Sequence, residues 1–247
     1  MKVNDYVTRN SHQNDVLFRI VEIKGQIAIL LGVELRLLAD AQLDDLRIEE
    51  EKEERNQEVK VSRQMMSLPY LKGKILHIDG DEYYLKKAME HYRQYGLTAA
   101  GYYVPENEMP NAVEKLLERH HPDVLVLTGH DALQGKDDDW KKMENYRNSL
   151  YFVKAVESAR NYDHSRDTLV IIAGACQSNY EALIFAGANF ASSPKRENIH
   201  LLDPVILAGT IASTSCKEYV DAKRALSSTI SHHMGGVETR GQARSIY

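Results

Sequence analysis

Val124-Leu125-Val126-Leu127-Thr128-Gly129-His130-Asp131 is the stretch on which the fold turns. An unbroken apolar run that stops at a small residue reads as a strand buried on both faces, the pattern of parallel sheets covered by helices. A second run repeats the design: Val170-Ile171-Ile172-Ala173-Gly174-Ala175-Cys176-Gln177-Ser178. Reacting groups in open α/β sheets gather outside the carboxyl ends of the strands. His130 and Cys176 occupy equivalent places on these two runs, 46 positions apart (176 minus 130). That separation accommodates a loop, a helix and one strand. A right-handed crossover would bring the two strand ends side by side.

Working outward, strands and helices alternate from Lys74 onward. Ile75–Gly80 reads as a strand, Glu82–Tyr95 as an amphipathic helix stopped by Gly96, and Thr98–Val104 as a strand. Asn111–Arg119 is a helix ended before Pro122, Tyr151–Tyr162 another, and Tyr180–Ala186 a third, closed by Gly187. Ala188–Ser192 is a short fifth strand, and the tail from Ser213 is less patterned, with a loop-like end. This alternation predicts an α/β domain whose parallel sheet is flanked by helices on both faces. Residues 1–48 differ. Their β-rich runs lie close together, with a Lys24-Gly25 turn between two of them, and predict a small barrel of SH3-like size. The charged stretch from Glu49 is nearly free of apolar residues until Val59 and separates the two parts. The expected division is therefore a β domain at 1–48, a linker at 49–71 and an α/β domain at 72–247.

Bulk properties exclude several classes. The 247 residues suffice for a large core, and a net charge of −5 from 31 basic and 36 acidic residues argues against a general nucleic-acid binder. No apolar run approaches the roughly 20 residues that span a bilayer, and the start lacks a secretory h-region. The two cysteines, Cys176 and Cys216, make neither a disulfide framework nor a four-cysteine zinc site. A cytosolic compartment is expected. The histidine pairs 120/121 and 232/233 are adjacent in sequence and do not converge on a metal, and no P-loop or dinucleotide fingerprint follows a strand. Neither metal nor organic cofactor is expected.

Cys176 follows a buried strand and is expected to begin the next helix, whose N-terminal amides favour a thiolate. His130 then serves as the base within hydrogen-bond reach. Asp131 either orients that imidazole or caps its own loop. Backbone N–H groups at Gly129 and Cys176 are candidate oxyanion donors. Asp79 and Asp81 flank Gly80 at the end of the first strand of the α/β domain, where they serve either as binding residues or as plain turn chemistry. Cys216 reads as structural.

Four blocks then carry a family likeness: Thr128-Gly129-His130-Asp131-Ala132-Leu133, Asn145-Tyr146-Arg147-Asn148-Ser149, Ala173-Gly174-Ala175-Cys176-Gln177-Ser178 and Asn189-Phe190-Ala191-Ser192-Ser193-Pro194-Lys195-Arg196. With the opening Asp5–Arg9 and the closing Gly235–Gly241, they resemble the YabG sporulation-specific peptidases over nearly the whole chain. A more distant likeness is to the caspase, gingipain and clostripain group, though the histidine here follows Gly129 where that group has His then Gly. The resemblance implies a caspase-like three-layer fold and a cysteine endopeptidase with His130 and Cys176 as its dyad. It also implies spore coat and other sporulation proteins as substrates, and a place in the mother-cell cytoplasm or at the coat. It implies cleavage after arginine or lysine, for which Asp203, Asp79 and Asp81 are candidate acidic pocket residues. Arg63, in the linker, becomes a candidate self-processing site. The alternatives are a non-catalytic coat scaffold, or a thiol amidase or acyltransferase on the same plan.

Overall fold

Alternating burial along Phe18–Lys24 and Ile27–Gly32 builds the first sheet. In the computed structural model, which describes residues 1–49, 70–134 and 140–245, the chain forms two compact units, Met1–Val59 and Lys60–Tyr247. Arg63 and Asp137–Asp139 lie outside the described residues.

The first unit holds β1 (Tyr6–Arg9), β2 (Phe18–Lys24), β3 (Ile27–Gly32), β4 (Leu38–Gln42) and β5 (Leu46–Glu49), all antiparallel, in the order β4-β3-β2-β1-β5. Gly25, with φ of +63°, makes the expected β2–β3 turn. Val7, Phe18, Ile20, Ala28, Leu30 and Leu46 form its core. Glu49 pairs with Tyr6 as the last residue of β5, so the strand runs one residue into the stretch expected to be linker.

The second unit begins with the short β6 (Tyr70–Leu71), again within the expected linker. It continues through β7 (Ile75–Asp79), α1 (Glu82–Gln94), β8 (Ala99–Tyr103), α2 (Met109–His120), β9 (Val124–Thr128), α3 (Ser149–Tyr162), β10 (Val170–Ala173), α4 (Tyr180–Ala186), β11 (Phe190–Ala191), α5 (Asp203–Ser213), β12 (Tyr219–Val220), α6 (Ala222–Ser227), β13 (Gly235–Gly236), β14 (Thr239–Arg240) and β15 (Arg244–Ser245). The main sheet has the order β13-β11-β10-β9-β7-β8. Five strands are parallel, and β13 runs antiparallel to β11. That last strand departs from the all-parallel expectation. A Cβ on Gly236 would collide with the Phe190 ring, so β13 reaches β11 only because glycine leaves room.

The helices α2, α3 and α4 pack on one face of this sheet, while α1 and α5 pack on the other. On the first face Leu76, Ile78, Leu125, Leu127, Ile171 and Ala173 meet Val113, Leu117, Phe152 and Val156, all buried. Each such aliphatic side chain contributes roughly 1.5–3 kcal/mol when fully buried. The sequence reading misses α5 because it is apolar on every side. Nearly all of it is buried, so it carries no amphipathic stripe.

One topological feature positions the site. The chain leaves β7 toward β8, then returns across β7 to lay down β9 on the other side. Strand order therefore reverses at β7, and its carboxyl end is where a doubly wound sheet opens a crevice.

Candidate active site

β9 and β10 end side by side: Leu127 pairs with Ala173 as the last pair of the ladder, and Gly174 N–H donates to Leu127 O at 2.9 Å. His130 and Cys176 each lie three residues beyond that pair, in loops joined by Leu133 N–H donating to Gln177 Oε1 at 3.3 Å and by Ser178 Oγ donating to Asp131 Oδ2 at 2.8 Å.

Around His130, three loops converge from β7, β8 and beyond β9. Its Nε2 lies 2.8 Å from Asp81 Oδ2. Its backbone N–H donates to Glu106 Oε1 at 2.7 Å, and Asn148 Nδ2 donates to its carbonyl at 2.8 Å. The Tyr84 ring lies 5.6 Å from the imidazole, centroid to centroid. Ring and backbone are therefore held separately. The remaining ring nitrogen, Nδ1, is buried and without a partner among the described residues.

Asp81 is fixed in turn by helix chemistry. As the N-cap of α1 it accepts the Tyr83 and Tyr84 amides on Oδ1, which leaves Oδ2 for the histidine. Its own N–H donates to Asp79 Oδ1. Burial pushes the Asp81 carboxyl up, but the hydrogen bond and charge of His130, with the Tyr84 amide, outweigh this and hold it below its ordinary value. Turn chemistry and site chemistry thus coincide in this residue.

Glu106 escaped the sequence reading, although it follows β8 as His130 follows β9. Applying the carboxyl-end rule to every strand would have found it. A Cβ on Gly80 or Gly129 would overlap Glu106 Oε1, so both glycines clear space for this carboxylate. Burial pushes its carboxyl above the ordinary value, and the amide and charge of His130 only partly offset the shift.

Asp131 is buried and serves as a strut. Its Oδ1 accepts from Ala132 N and Asn148 N, and its Oδ2 from Ser149 Oγ and Ser178 Oγ. Ser149 Oγ also accepts from Asn179 N, and Ser178 Oγ from Ala175 N. The side chain thereby ties the histidine loop, the start of α3 and the cysteine loop together. Of the two roles open to it in the sequence, the loop cap describes its contacts.

Cys176 does not begin a helix. Gly174 (φ +103°) and Gln177 (φ +61°) turn the chain sharply, and α4 starts only at Tyr180, capped by Asn179. The sulfur, 1% exposed, accepts from Ile199 N–H at 3.4 Å and donates to Ile199 O at 3.8 Å. The helix terminus expected to favour a thiolate is therefore absent at Cys176. At Gly174 a side chain is barred twice, by the positive φ and by Leu183 Cδ1, which would lie 2.7 Å from any Cβ placed there.

The remaining candidates fall elsewhere. Asp79 is fully buried, accepts from Thr128 Oγ1 at 2.8 Å, and belongs to a chain running through His77 to Tyr92 under the site. Asp203 is 0% exposed and takes up His200 N, Ile230 N, Ser231 N and Ser231 Oγ, which ties α5 to the segment after α6. Both of its oxygens are thus occupied within the fold. Among the described residues no group of three histidine, cysteine, aspartate or glutamate side chains is disposed to hold a metal ion, and no helix is long and apolar enough to cross a membrane.

The chain matches the family described as YabG peptidase U57 over residues 2–70 and 67–247. It is 39% identical to the sporulation-specific protease YabG of Bacillus subtilis (strain 168), over 98% of this chain and 96% of that protein. With a relative so similar along nearly its whole length, this chain belongs to the YabG peptidase family.

Proposed function

We propose that this protein is a cysteine endopeptidase of sporulation, with Cys176 as nucleophile and His130 as acid and base. The observation that supports the reading is the pairing of β9 with β10, whose neighbouring carboxyl ends lead into the loops that carry His130 and Cys176. His130 takes the thiol proton and the sulfur attacks the scissile carbonyl carbon. The oxyanion is held by backbone amides near Gly129 and Cys176. The imidazolium returns its proton to the leaving amine as the C–N bond breaks, leaving a thioester on Cys176. Water, deprotonated by His130, then hydrolyses that thioester.

Spore coat and related sporulation proteins are the proposed substrates. Their cleavage after arginine or lysine is favoured by the carboxylates beside His130, where Asp81 meets the ring and Glu106 the backbone N–H. A cationic substrate side chain would relieve the excess of negative charge. The five antiparallel strands of the first unit fit an SH3-like barrel, and the second unit, with helices on both faces of its sheet, fits the caspase-like plan. The reading is tested by incubating wild type, Cys176→Ala and His130→Ala with an arginine-rich coat protein and mapping the fragments by mass spectrometry. Cleavage after basic residues by the wild type, with loss of more than 1,000-fold in both folded variants (on the order expected when a nucleophile is removed), is the expected result. Cleavage by Cys176→Ala at the wild-type rate would overturn it.

A further inference from the structure

Within that reading, the question left open is which nitrogen of His130 meets the sulfur, and what decides it. Three observations bear on the answer. Nε2 is engaged 2.8 Å from Asp81 Oδ2. Nδ1 is buried and has no partner among the described residues. Asp81 is immobilised by its second task, since the amides of Tyr83 and Tyr84 hold Oδ1 at the start of α1.

We propose that Asp81 is the positioning residue of the dyad: it accepts the Nε2–H of His130, which fixes the neutral imidazole with a bare lone pair on Nδ1, and Nδ1 is the atom that takes the Cys176 proton.

A neutral imidazole carries one N–H, and a carboxylate can only accept. The proton must then sit on Nε2, and the basic lone pair falls on Nδ1. Were the tautomer reversed, Nε2 would set a lone pair against a carboxylate and Nδ1 would bury an N–H with no acceptor among the described residues. When Nδ1 receives the thiol proton, the imidazolium keeps its Nε2–H on Asp81, and the charge that forms lies against the carboxylate. Glu106 contributes charge without choosing the tautomer, because its contact is with the backbone N–H. Asp131, beside His130 in sequence, spends its carboxylate on the strut.

The groups that face the imidazole are Asp81 and Tyr84 from the first turn of α1 and the loop before it, and Glu106 from the loop after β8. Asp79 lies behind them, and Cys176 follows the neighbouring strand β10. Asparagine is a suitable test because it is as good an N-cap as aspartate. Its amide can donate to Nε2 and so favour the opposite tautomer.

The experiment compares wild type, Asp81→Asn and Asp81→Ser, which also caps a helix but is too short to reach the imidazole. A fluorogenic peptidyl-arginine amide reports kcat and KM against pH, and ¹⁵N-histidine spectra report the tautomer without any turnover. We expect kcat to fall about 100-fold to 10,000-fold in Asp81→Asn, as when other dyads lose their tautomer, with KM changed less than threefold. The His130 signal should move from the Nε2–H form toward the Nδ1–H form. Asp81→Ser should lose kcat and keep its helix content. Wild-type kcat in folded Asp81→Asn, or an Nδ1–H tautomer in the wild type, would overturn the proposal. Either result leaves the thiol mechanism standing if Cys176→Ala is inactive, so the two readings fail separately.

Discussion

At the residue scale, the site is a set of small residues making room for large charges. Gly80 and Gly129 matter here for the absence of a side chain, since the carboxylate of Glu106 occupies the space where their Cβ atoms would lie. Holding that carboxylate has a cost, because burial works against its charge. Its ordinary value is 4.5, and burial raises the folded value above this. Between the two values the native state binds more protons than the unfolded chain, so stability falls as pH rises through that window and stays lower above it. Glu106→Gln keeps an oxygen for the His130 amide and has no charge to bury. Urea unfolding across pH 4 to 8 should show this loss in the wild type and less of it in the variant. Identical pH dependence in both proteins would contradict this role for Glu106.

At the scale of elements, Asp131 joins three pieces that the sheet alone does not register: the loop after β9, the N-terminus of α3 and the loop after β10. Asp131→Ala strands the Asn148 amide and the Ser149 and Ser178 hydroxyls near a buried site. With stranded donors costing about 1–3 kcal/mol each, denaturant unfolding should show a loss of about 3 kcal/mol or more. Activity should fall as well, because the histidine and cysteine loops are no longer braced. A variant as stable as the wild type would show that the strut is dispensable. The strands were legible in the sequence because burial on both faces leaves continuous apolar runs: β9 falls on the expected 124–128, and β10 lies within the expected run. The same logic hid α5, which lacks a polar face, and β13, whose Gly235–Gly236 carries no strand preference. The site was half legible. The strand-end rule marks His130 and Cys176, but the partner of His130 is Asp81, which the sequence offers as a substrate-binding residue or as turn chemistry and not as a partner of the histidine. Only the reversal of strand order at β7 brings that turn to the histidine.

At the scale of the whole molecule, the two units have separate cores, one around Phe18, Ile20 and Leu30 and the other around the large sheet. A unit ending at Val59 is near the size at which a single core is marginal. Calorimetry should therefore resolve more than one transition, with a van't Hoff enthalpy below the calorimetric one. A single transition with equal enthalpies would mean that the units unfold together. The residues gathered about His130 lie in the larger unit, so the proposed chemistry belongs to it.

The central claim, a covalent reaction at Cys176, is tested most directly by trapping its intermediate. Wild-type protein is mixed with a peptidyl-arginine ester, which acylates readily, quenched in acid during turnover, digested and weighed. Thiol catalysis predicts the acyl mass, as a thioester, on the peptide that carries Cys176, and no such mass in Cys176→Ala. Ester or protein cleavage that proceeds at full rate with no adduct on that peptide, and that survives the Cys176→Ala change, would contradict it.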